Sequence, residues 1–383
     1  MTTQILIVGA GPAGMAAAVR ARECGATVLI IDENPSPGGQ IWRGGPSGAQ
    51  AKRWFKAFRA SGAEVLTEAQ LVSIEGRTAL IETREFAVTV QVEKSILATG
   101  SRELFLPFPG WTLPGVMGAG GLQALVKSGL PIAGKRVIVA GTGPLLIAVA
   151  SYLKAHGAHI PLIAEQAPSL ASFVAKLLTS PAKAIQAATL FTNVPYELNT
   201  WIEAAEGGTR VERVRLRNGQ RTWTEQVDYA AVGYGLVAQV SACDGQDPDV
   251  YQIPTGPVDL ALVEGEIAGY TVAGRPDKAK RLQAWRNSQA RFSAAINRAF
   301  ALRPELKQLP QHDTIVCRCE DVSYGRLQAM HSFREAKLHT RCGMGPCQGR
   351  VCGPACEFLF GWQDHRSSRP PIYPARLETL SQE

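Results

Sequence analysis

The feature that most constrains the fold is a glycine-rich turn directly after the first hydrophobic strand. Residues 5–8 read ILIV, and residues 9–14 read GAGPAG. Residues 15–24 then predict an alanine-rich helix, and residues 27–31 predict a second buried strand that ends at Asp32. This order of strand, G-x-G-x-x-G, helix, strand and acid predicts a dinucleotide-binding βαβ unit, the alternative being a glycine loop that only packs.

Each glycine of this motif has a physical role that a larger residue could not fill. Gly9 permits the tight turn, Gly11 lets the backbone approach a pyrophosphate, and Gly14 lets the helix and strand pack closely. The helix N-terminus points free N–H groups and a positive dipole end toward the phosphates. Asp32 lies at the position where a carboxylate accepts hydrogen bonds from the ribose hydroxyls, and the neighbouring Glu33 is the alternative acid.

The stretches after this unit favour flavin over nicotinamide. Residues 37–43 read PGGQIWR, with Gly39, Gln40 and Arg43, and resemble the Gly-Gly-Gln loop of thioredoxin-reductase-like flavoproteins, whose backbone lies against FAD. Residues 95–101 form an apolar strand ending in Ala-Thr-Gly, with Thr99 and Gly100, which resembles the crossing point between the two nucleotide domains of those proteins. Residues 64–91 alternate in short runs that predict an inserted β-meander.

A second βαβ unit is predicted further along the chain. Residues 135–140 form a strand, residues 141–146 read GTGPLL with Gly141 and Gly143, and a helix and a strand follow over residues 146–156 and 159–164. Leu146 replaces the third glycine, and no arginine pair follows to hold a 2′-phosphate. An NAD site, another adenine-nucleotide site and an empty scaffold all stay open, and we favour a scaffold or a non-catalytic nucleotide.

The cysteines are unevenly placed, which indicates a metal site. Of the eight, Cys24 and Cys243 stand alone, whereas the other six lie between positions 317 and 356. Clustering of this kind without a secretory signal favours a reducing compartment and metal ligation. No Cys-x-x-Cys occurs in the middle of the chain, so a thioredoxin-type disulfide relay is not expected.

The spacing within the cluster favours iron–sulfur over zinc. A C-x-C motif and a C-x4-C motif supply the predicted ligands Cys317, Cys319, Cys342 and Cys347. Four thiolates suit tetrahedral zinc or a 2Fe–2S cluster, but C-x-C is unusual for zinc sites. Purely structural thiols are the third alternative. The rival ligands, Cys352 and Cys356, are interpreted as small packing residues on a helix.

Composition and charge set the class of protein. Hydrophobic residues make up 45% of the 383 residues and charged residues 19%, which is typical of a globular chain of two or three domains. The net charge of +7 is spread thinly, without a nucleic-acid motif. Proline and glycine interrupt the two long uncharged stretches, so neither predicts a membrane span. We expect a cytoplasmic protein that binds no nucleic acid.

The motifs together identify a family resemblance. Residues 316–321 (VCRCED), 340–350 (TRCGMGPCQGR) and the closing segment 369–374 resemble the α (A) subunit of bacterial two-component FAD/2Fe–2S amino-acid dehydrogenases and oxidases. That group includes octopine and nopaline oxidases, hydrogen cyanide synthase and D-hydroxyproline dehydrogenase, and is related to the α subunit of heterotetrameric sarcosine oxidase. The resemblance covers nearly the whole chain, and residues 340–350 resemble its bacterioferritin-associated-ferredoxin-like domain.

This resemblance implies an α/β fold in three parts and an electron-transfer role. Residues 1–105 and 225–300 would form an FAD-type domain, residues 106–224 a second nucleotide-binding domain, and residues 301–383 the 2Fe–2S domain with a tail. An FAD-containing β subunit of the D-amino-acid-oxidase type would oxidise a CH–NH donor, and the presence of a small third subunit stays open. This chain would relay the electrons and hold no catalytic residue for the substrate.

Two alternatives stay open: a stand-alone NAD(P)H-dependent FAD/2Fe–2S reductase, and a scaffold subunit with a structural cluster. One departure from the resemblance bears on the flavin. The family returns to FAD with a strand ending in Gly-Asp, whereas residues 249–259 read DVYQIPTGPVD, without that pair. We therefore expect weakened FAD binding, or an adenine nucleotide without a redox role.

Overall fold

The computed structural model describes residues 1–171, 194–219, 221–239, 249–254, 256–363 and 371–381. The chain divides into two compact units. Unit 1 comprises Met1–Ser101, Ala238–Ser293 and Ser367–Glu383, and unit 2 comprises Arg102–Val237 and Ala294–Arg366. Cys243 and the first two residues of the closing segment 369–374 lie outside the described residues. The predicted three-part division stays a prediction.

The described strands follow in chain order. They are β1 (Thr2–Val8), β2 (Val28–Asp32), β3 (Glu64–Thr67), β4 (Ala69–Glu75), β5 (Thr78–Thr83), β6 (Ala87–Leu97), β7 (Ser101–Glu103), β8 (Val116–Gly118), β9 (Val137–Gly141), β10 (Ile163–Glu165), β11 (Tyr196–Glu197), β12 (Thr200–Glu206), β13 (Arg213–Asn218), β14 (Arg221–Gln226), β15 (Tyr229–Gly233), β16 (Leu236–Ala238), β17 (Val250–Gln252), β18 (Ile315–Cys317) and β19 (Val322–Ser323).

The described helices are α1 (Pro12–Glu23), α2 (Gly48–Ser61), α3 (Ala119–Lys127), α4 (Pro144–Ala155), α5 (Val258–Val272), α6 (Pro276–Ala299), α7 (Tyr324–Leu327), α8 (Phe333–Thr340), α9 (Cys352–Phe360) and α10 (Leu377–Leu380). A 3₁₀ turn covers Pro304–Gln308. In the part of the chain that the structure describes, no helix is both long and apolar enough to cross a bilayer.

Unit 1 is built on a sheet with the strand order β3-β2-β1-β6-β5-β4, and β17 pairs with β6. The strands β3, β2, β1, β6 and β17 run parallel, and β4, β5 and β6 form an antiparallel meander. The predicted meander of residues 64–91 therefore starts later, because β3 belongs to the parallel part of the sheet. Helices α1 and α5 pack closely because small residues face each other. A Cβ atom added at Gly265 would lie 2.1 Å from the Ala13 carbonyl oxygen. The parallel strands therefore carry the first nucleotide fold.

Unit 2 contains the second nucleotide fold and the cysteine-rich segment. Its parallel sheet has the order β11-β10-β9-β15-β8, and β12, β13 and β14 form an antiparallel sheet beside it. The cysteine-rich segment is tied to this fold by hydrogen bonds from Trp111 Nε1 to the Ile315 carbonyl at 2.6 Å and from Arg102 Nε to the Arg350 carbonyl at 2.7 Å. The cysteine-rich segment is thus hydrogen-bonded to the second nucleotide fold.

Candidate cofactor sites

The first glycine loop has the geometry that the sequence predicts. Gly9 has a φ of +103°, which favours glycine, and a Cβ atom at Gly14 would lie 1.8 Å from the Gly9 carbonyl oxygen. Gly11 differs, because its Cβ atom would meet only the Cα atom of Gly39, at 3.8 Å. Gly9 and Gly14 therefore serve the fold, whereas Gly11 leaves free space at the N-terminus of α1.

The loop of residues 37–43 lies against this turn. The Gly38 N–H donates to the Ala10 carbonyl at 2.9 Å, and Gly39 has a φ of +58°. Arg43 Nη2 donates to Asn34 Oδ1 at 2.7 Å, while its buried Nε has no hydrogen-bond partner among the described residues. A buried donor without a partner is costly, and a bound anion or nucleotide would satisfy it. Gln40 is exposed on the same loop.

Asp32 holds the glycine loop, which leaves Glu33 as the more available acid. Asp32 Oδ2 accepts the Ala10 N–H at 2.6 Å, and Oδ1 accepts both the N–H and the side-chain amide of Asn34, at 2.8 and 2.7 Å. Glu33 is exposed at the loop surface. Desolvation by neighbouring protein and the charge of Asp32 raise the pKa of Glu33. The sequence pattern, in contrast, favours Asp32 over Glu33 as the acceptor for the ribose hydroxyls.

The crossing-point residues lie at the end of β6. Thr99 Oγ1 donates to the Gln239 carbonyl at 2.9 Å, and the Gln239 N–H donates to the Gly100 carbonyl at 3.0 Å. Gly100 has a φ of +72°, and the position of its missing side chain faces open space. The return strand β17 pairs with β6 in parallel, from Val250 opposite Ser95. The strand topology of the flavoprotein fold is therefore present although the Gly-Asp pair is absent.

The second glycine loop also has the predicted turn. Gly141 and Gly143 have φ values of +135° and +97°, and α4 begins directly after them. Leu146 is fully buried against Gly233, with one methyl carbon 3.5 Å from the position of a Cβ atom there. The glycine-to-leucine exchange is thus accommodated by packing inside the second unit.

The acid of the second unit, Glu165, is fully buried and all of its acceptor positions are used. Oε1 accepts from Thr142 Oγ1 at 2.8 Å and from the Ala167 N–H at 2.9 Å. Oε2 accepts from the Gly143 N–H at 2.8 Å and from the Tyr196 hydroxyl at 3.1 Å. Burial raises the pKa of Glu165, and these four donors partly offset that effect. No lone pair is left for a ribose hydroxyl.

A distant segment covers the residue next to Glu165. Gln166 is fully buried, and its Nε2 donates to the Ala301 carbonyl at 3.0 Å, while its Oε1 accepts the Arg303 N–H at 3.0 Å. The Arg303 guanidinium lies 4.2 Å from the centre of the Trp201 ring. A nucleotide normally binds at the carboxyl ends of these strands. Here the chain itself occupies that edge beside Glu165.

The cysteine-rich segment brings three thiols together. The Sγ atoms of Cys317, Cys342 and Cys352 all lie within 4.8 Å of one another, and all three residues are buried. Hydrogen bonds from the thiols of Cys342 and Cys352, and from the N–H groups of Gly343 and Glu320, lower the pKa of Cys317. Backbone N–H groups aimed at sulfur stabilise thiolate, so this donor set fits a soft metal or an iron–sulfur cluster.

The other two predicted ligands form a separate, more exposed pair. Cys319 is exposed and Cys347 is half-buried, and Cys319 interacts with both the thiol and the N–H of Cys347. A Cβ atom at Gly345 would lie 2.2 Å from the Cys319 Cβ. The absence of a side chain at position 345 is therefore what allows the two loops to meet.

The structure thus adds one candidate ligand, Cys352, which the sequence interpretation assigns to packing although it shares the C-x4-C spacing with Cys347. Cys317 and Cys342 belong to the group of three thiols, Cys319 and Cys347 lie outside it, and Cys352 joins it. A signal is present in the sequence, because Cys352 follows Cys347 by five residues and starts a helix whose N-terminal N–H groups favour thiolate. The predicted ligand set stays a prediction.

Comparison with known proteins agrees with these features. The family model "Pyridine nucleotide-disulphide oxidoreductase" matches residues 3–249. The chain is 27% identical to hydrogen cyanide synthase subunit HcnB of Pseudomonas aeruginosa, over 100% of both chains. It is 29% identical to the A subunit of opine oxidase from Agrobacterium tumefaciens, over 98% of this chain and 91% of that one. The alpha subunit of sarcosine oxidase from Corynebacterium sp. is 29% identical over 42% of this chain and 19% of its own length.

Solved structures share the fold. L-proline dehydrogenase from P. horikoshii superposes with a TM-score of 0.63 at 17% identity, covering 99% of this chain and 79% of that one. Thioredoxin reductase of T. acidophilum gives a TM-score of 0.54 at 19% identity, covering 71% and 98%. The predicted mixed α/β, Rossmann-like flavoprotein fold is confirmed, while the iron–sulfur nature of the C-terminal segment stays a prediction.

Proposed function

Because the chain belongs to the pyridine nucleotide-disulphide oxidoreductase family, we propose that it is the electron-transfer subunit of a heteromeric flavin-dependent amino-acid or imino-acid dehydrogenase. Full-length similarity to proteins named as subunits of hydrogen cyanide synthase and opine oxidase supports this proposal. The substrate would be a CH–NH donor of the opine or D-hydroxyproline kind. It would be oxidised in an FAD-containing β subunit of the D-amino-acid-oxidase type.

The observation that carries the relay role is the group of thiols in the second unit. Three Sγ atoms within 4.8 Å, with backbone N–H groups directed at one of them, suit a cluster that carries single electrons. We propose a 2Fe–2S cluster held by four thiolates, with Cys317, Cys319, Cys342 and Cys347 as the predicted ligands. Zinc is the rival metal for the same donors.

The first unit would hold FAD, which supplies the two-electron chemistry when bound. Gly11 leaves room for the pyrophosphate, and the N-terminus of α1 directs N–H groups toward it. Arg43 has an unsatisfied Nε for an acceptor on the ligand. Asp32 positions the glycine loop, so Glu33 would accept from the ribose hydroxyls. Without the Gly-Asp pair after β17, we expect weaker retention of FAD than the family shows.

The alternative function, a stand-alone NAD(P)H-dependent reductase, needs an open second nucleotide site. The four hydrogen bonds to Glu165 and the contacts of residues 301 and 303 with Gln166 disfavour it. We therefore propose that the second nucleotide fold is a scaffold that carries the cysteine-rich segment. A second adenine nucleotide without a redox role would require Gln166 to exchange these partners.

The test is purification of the native complex from its source. Mass spectrometry should identify a flavoprotein partner, and chemical analysis should find iron, acid-labile sulfide and flavin. Under anaerobic conditions, an opine or D-hydroxyproline with the partner present should bleach the flavin and reduce the cluster, whereas NADH or NADPH alone should not. Zinc without iron would overturn the cluster, and bleaching by NADPH would favour the stand-alone reductase.

A further inference from the structure

The cysteine-rich segment holds more thiols than a 2Fe–2S cluster needs. Such a cluster takes four cysteine thiolates, two on each iron. The buried thiols of Cys317, Cys342 and Cys352 form an inner group, and Cys319 with Cys347 forms an outer pair. If the outer pair binds one iron, three inner thiols compete for two positions on the other iron.

Two of the inner thiols come from independent backbone elements. Cys342 lies in the loop after α8, where Arg341 and Gly343 have φ values of +66° and +79°, and its N–H donates to Thr340 Oγ1 at 3.2 Å. Cys352 is the first residue of the nine-residue helix α9. Removal of one side chain therefore leaves the backbone that presents the other unchanged.

Both thiols lie beside Cys317, and hydrogen bonding to it together with burial raises the pKa of Cys342 and of Cys352. The residues at positions 342 and 352 are buried, with relative exposures of 0% and 1%, so water competes little for the metal. Cys352 is the first residue of α9, although the Gly353 N–H is already bonded to the Gly349 carbonyl at 2.7 Å and position 354 is proline. The Cys342 thiol lies beside Gly343, whose N–H is directed at the neighbouring Cys317 sulfur. A metal bound at either position would therefore have to displace the thiol proton.

We propose that Cys342 and Cys352 are interchangeable cluster ligands beside Cys317. The site would then contain one thiol more than the cluster binds at a time. This inference rests on the proposed cluster. Such an exchange would break the bond from the cluster to one thiolate as the bond to the other forms. The leaving thiolate takes up the proton that the entering thiol releases, and no electron is gained or lost.

Cys356 provides the matched control. It is fully buried one helical turn after Cys352 and interacts with the Cys342 thiol, but it is not one of the three mutually close Sγ atoms. A Cys356→Ala variant removes a thiol of the same kind from the same core. It is therefore expected to keep the cluster without changing its ligands.

The experiment compares Cys342→Ala, Cys352→Ala, their double variant, Cys317→Ala and Cys356→Ala in the full chain. Iron and sulfide per chain, and the electron paramagnetic resonance spectrum after dithionite reduction, are measured. Each of the first two variants should retain both irons, with spectra that differ from each other. The double variant and Cys317→Ala should lose about 10-fold or more of the iron.

The outcomes separate the two proposals. A wild-type protein without iron would overturn both the cluster and the exchange. A wild-type protein with the cluster, combined with a cluster-free Cys342→Ala or Cys352→Ala variant, would overturn the exchange alone. Far-UV circular dichroism checks folding, and Cys342→Ser and Cys352→Ser repeat the comparison with side chains closer in shape to cysteine. Identical spectra in Cys342→Ala and Cys352→Ala would contradict the exchange, because the two variants would then share a ligand set that contains neither thiol.

Discussion

At the scale of single residues, the three glycines of the first motif have different roles. Gly9 and Gly14 are needed by the protein itself, because a Cβ atom at either position would collide with backbone. Gly11 has an ordinary extended φ of −73° and only the Gly39 Cα near the position of a Cβ atom, so we attribute its lack of a side chain to the proposed flavin. The motif can therefore be separated into folding and binding components by substitution.

The first prediction uses this separation. Gly14→Ala should lower the Tm by roughly 5–10 °C, because the added carbon would lie 1.8 Å from the Gly9 carbonyl oxygen. Gly11→Ala should leave the Tm of the flavin-free protein nearly unchanged and reduce the flavin content several-fold. Calorimetry and flavin absorbance check the two effects. Equal loss of stability in both variants would contradict the assignment.

A second residue-scale prediction concerns an ion pair inside the first unit. Arg286 Nε donates to Glu264 Oε1 at 2.7 Å, and the Glu264 side chain is only 4% exposed. Arg286→Met should reduce the free energy of unfolding by about 2–3 kcal/mol, because it leaves a buried charge unpaired. The double variant Glu264→Gln with Arg286→Met should recover more than half of that loss in urea denaturation. No recovery would mean that Arg286 acts through packing.

At the scale of elements, helix termini in the second unit are satisfied by carboxylates of the chain itself. Glu103 lies at the N-terminus of α3, where its oxygens accept the Gly120 and Gly121 N–H groups at 2.8 and 3.1 Å. Glu165 does the same for the loop before α4. Helix N-terminal N–H groups of this kind bind phosphate in dinucleotide-binding folds, so each carboxylate here satisfies donors that an anion would otherwise use.

Burial raises the pKa of Glu103 above its ordinary value of 4.5, although the helix N–H groups offset part of that effect. The folded protein therefore holds this proton more tightly than the unfolded chain. The free energy of unfolding should fall as the pH rises from 4.5 through the raised pKa. Glu103→Gln should flatten this slope, whereas the exposed Glu85→Gln should keep it, in urea denaturation across that pH range. Parallel slopes in all three proteins would contradict this origin.

Element boundaries were largely predictable, but partners distant in the chain were not. The predicted helices at residues 15–24 and 146–156 begin earlier in the structure, at Pro12 and Pro144, because proline is favoured in the first turn. The contacts of Gln166 with residues 301 and 303 follow from folding across more than a hundred positions, which no local pattern contains. Spacing alone does not choose between Cys342 and Cys352, because each lies five residues from Cys347, and the closeness of Cys352 to Cys317 is tertiary.

At the scale of the whole molecule, each unit would hold its own cofactor. The residues proposed for FAD lie in unit 1, and the six clustered cysteines lie in unit 2. The family resemblance implied that the FAD-type domain is assembled from two separated segments, residues 1–105 and 225–300. It did not predict that the cysteine-rich segment belongs to the same compact unit as the second nucleotide fold.

This division predicts separable thermal transitions. Removing FAD should lower the Tm of one calorimetric transition, and removing iron with a chelator should lower the other, because each ligand stabilises only the unit that binds it. Flavin absorbance and cluster absorbance during heating assign the transitions. A single transition that responds equally to both treatments would show that the protein unfolds as one cooperative body.

The close packing of α1 on α5 has a consequence for synthesis on the ribosome. Ala13 meets Gly265, which is made 252 residues later. At about 5–20 residues per second, the interval is on the order of tens of seconds. During that time α2 can already pack on α1, but the face of α1 that meets α5 stays uncovered, while the strands of the second nucleotide fold already emerge. A nascent chain released before Val272 would expose that face permanently, so incomplete translation products of this protein should be strong clients of chaperones and proteases.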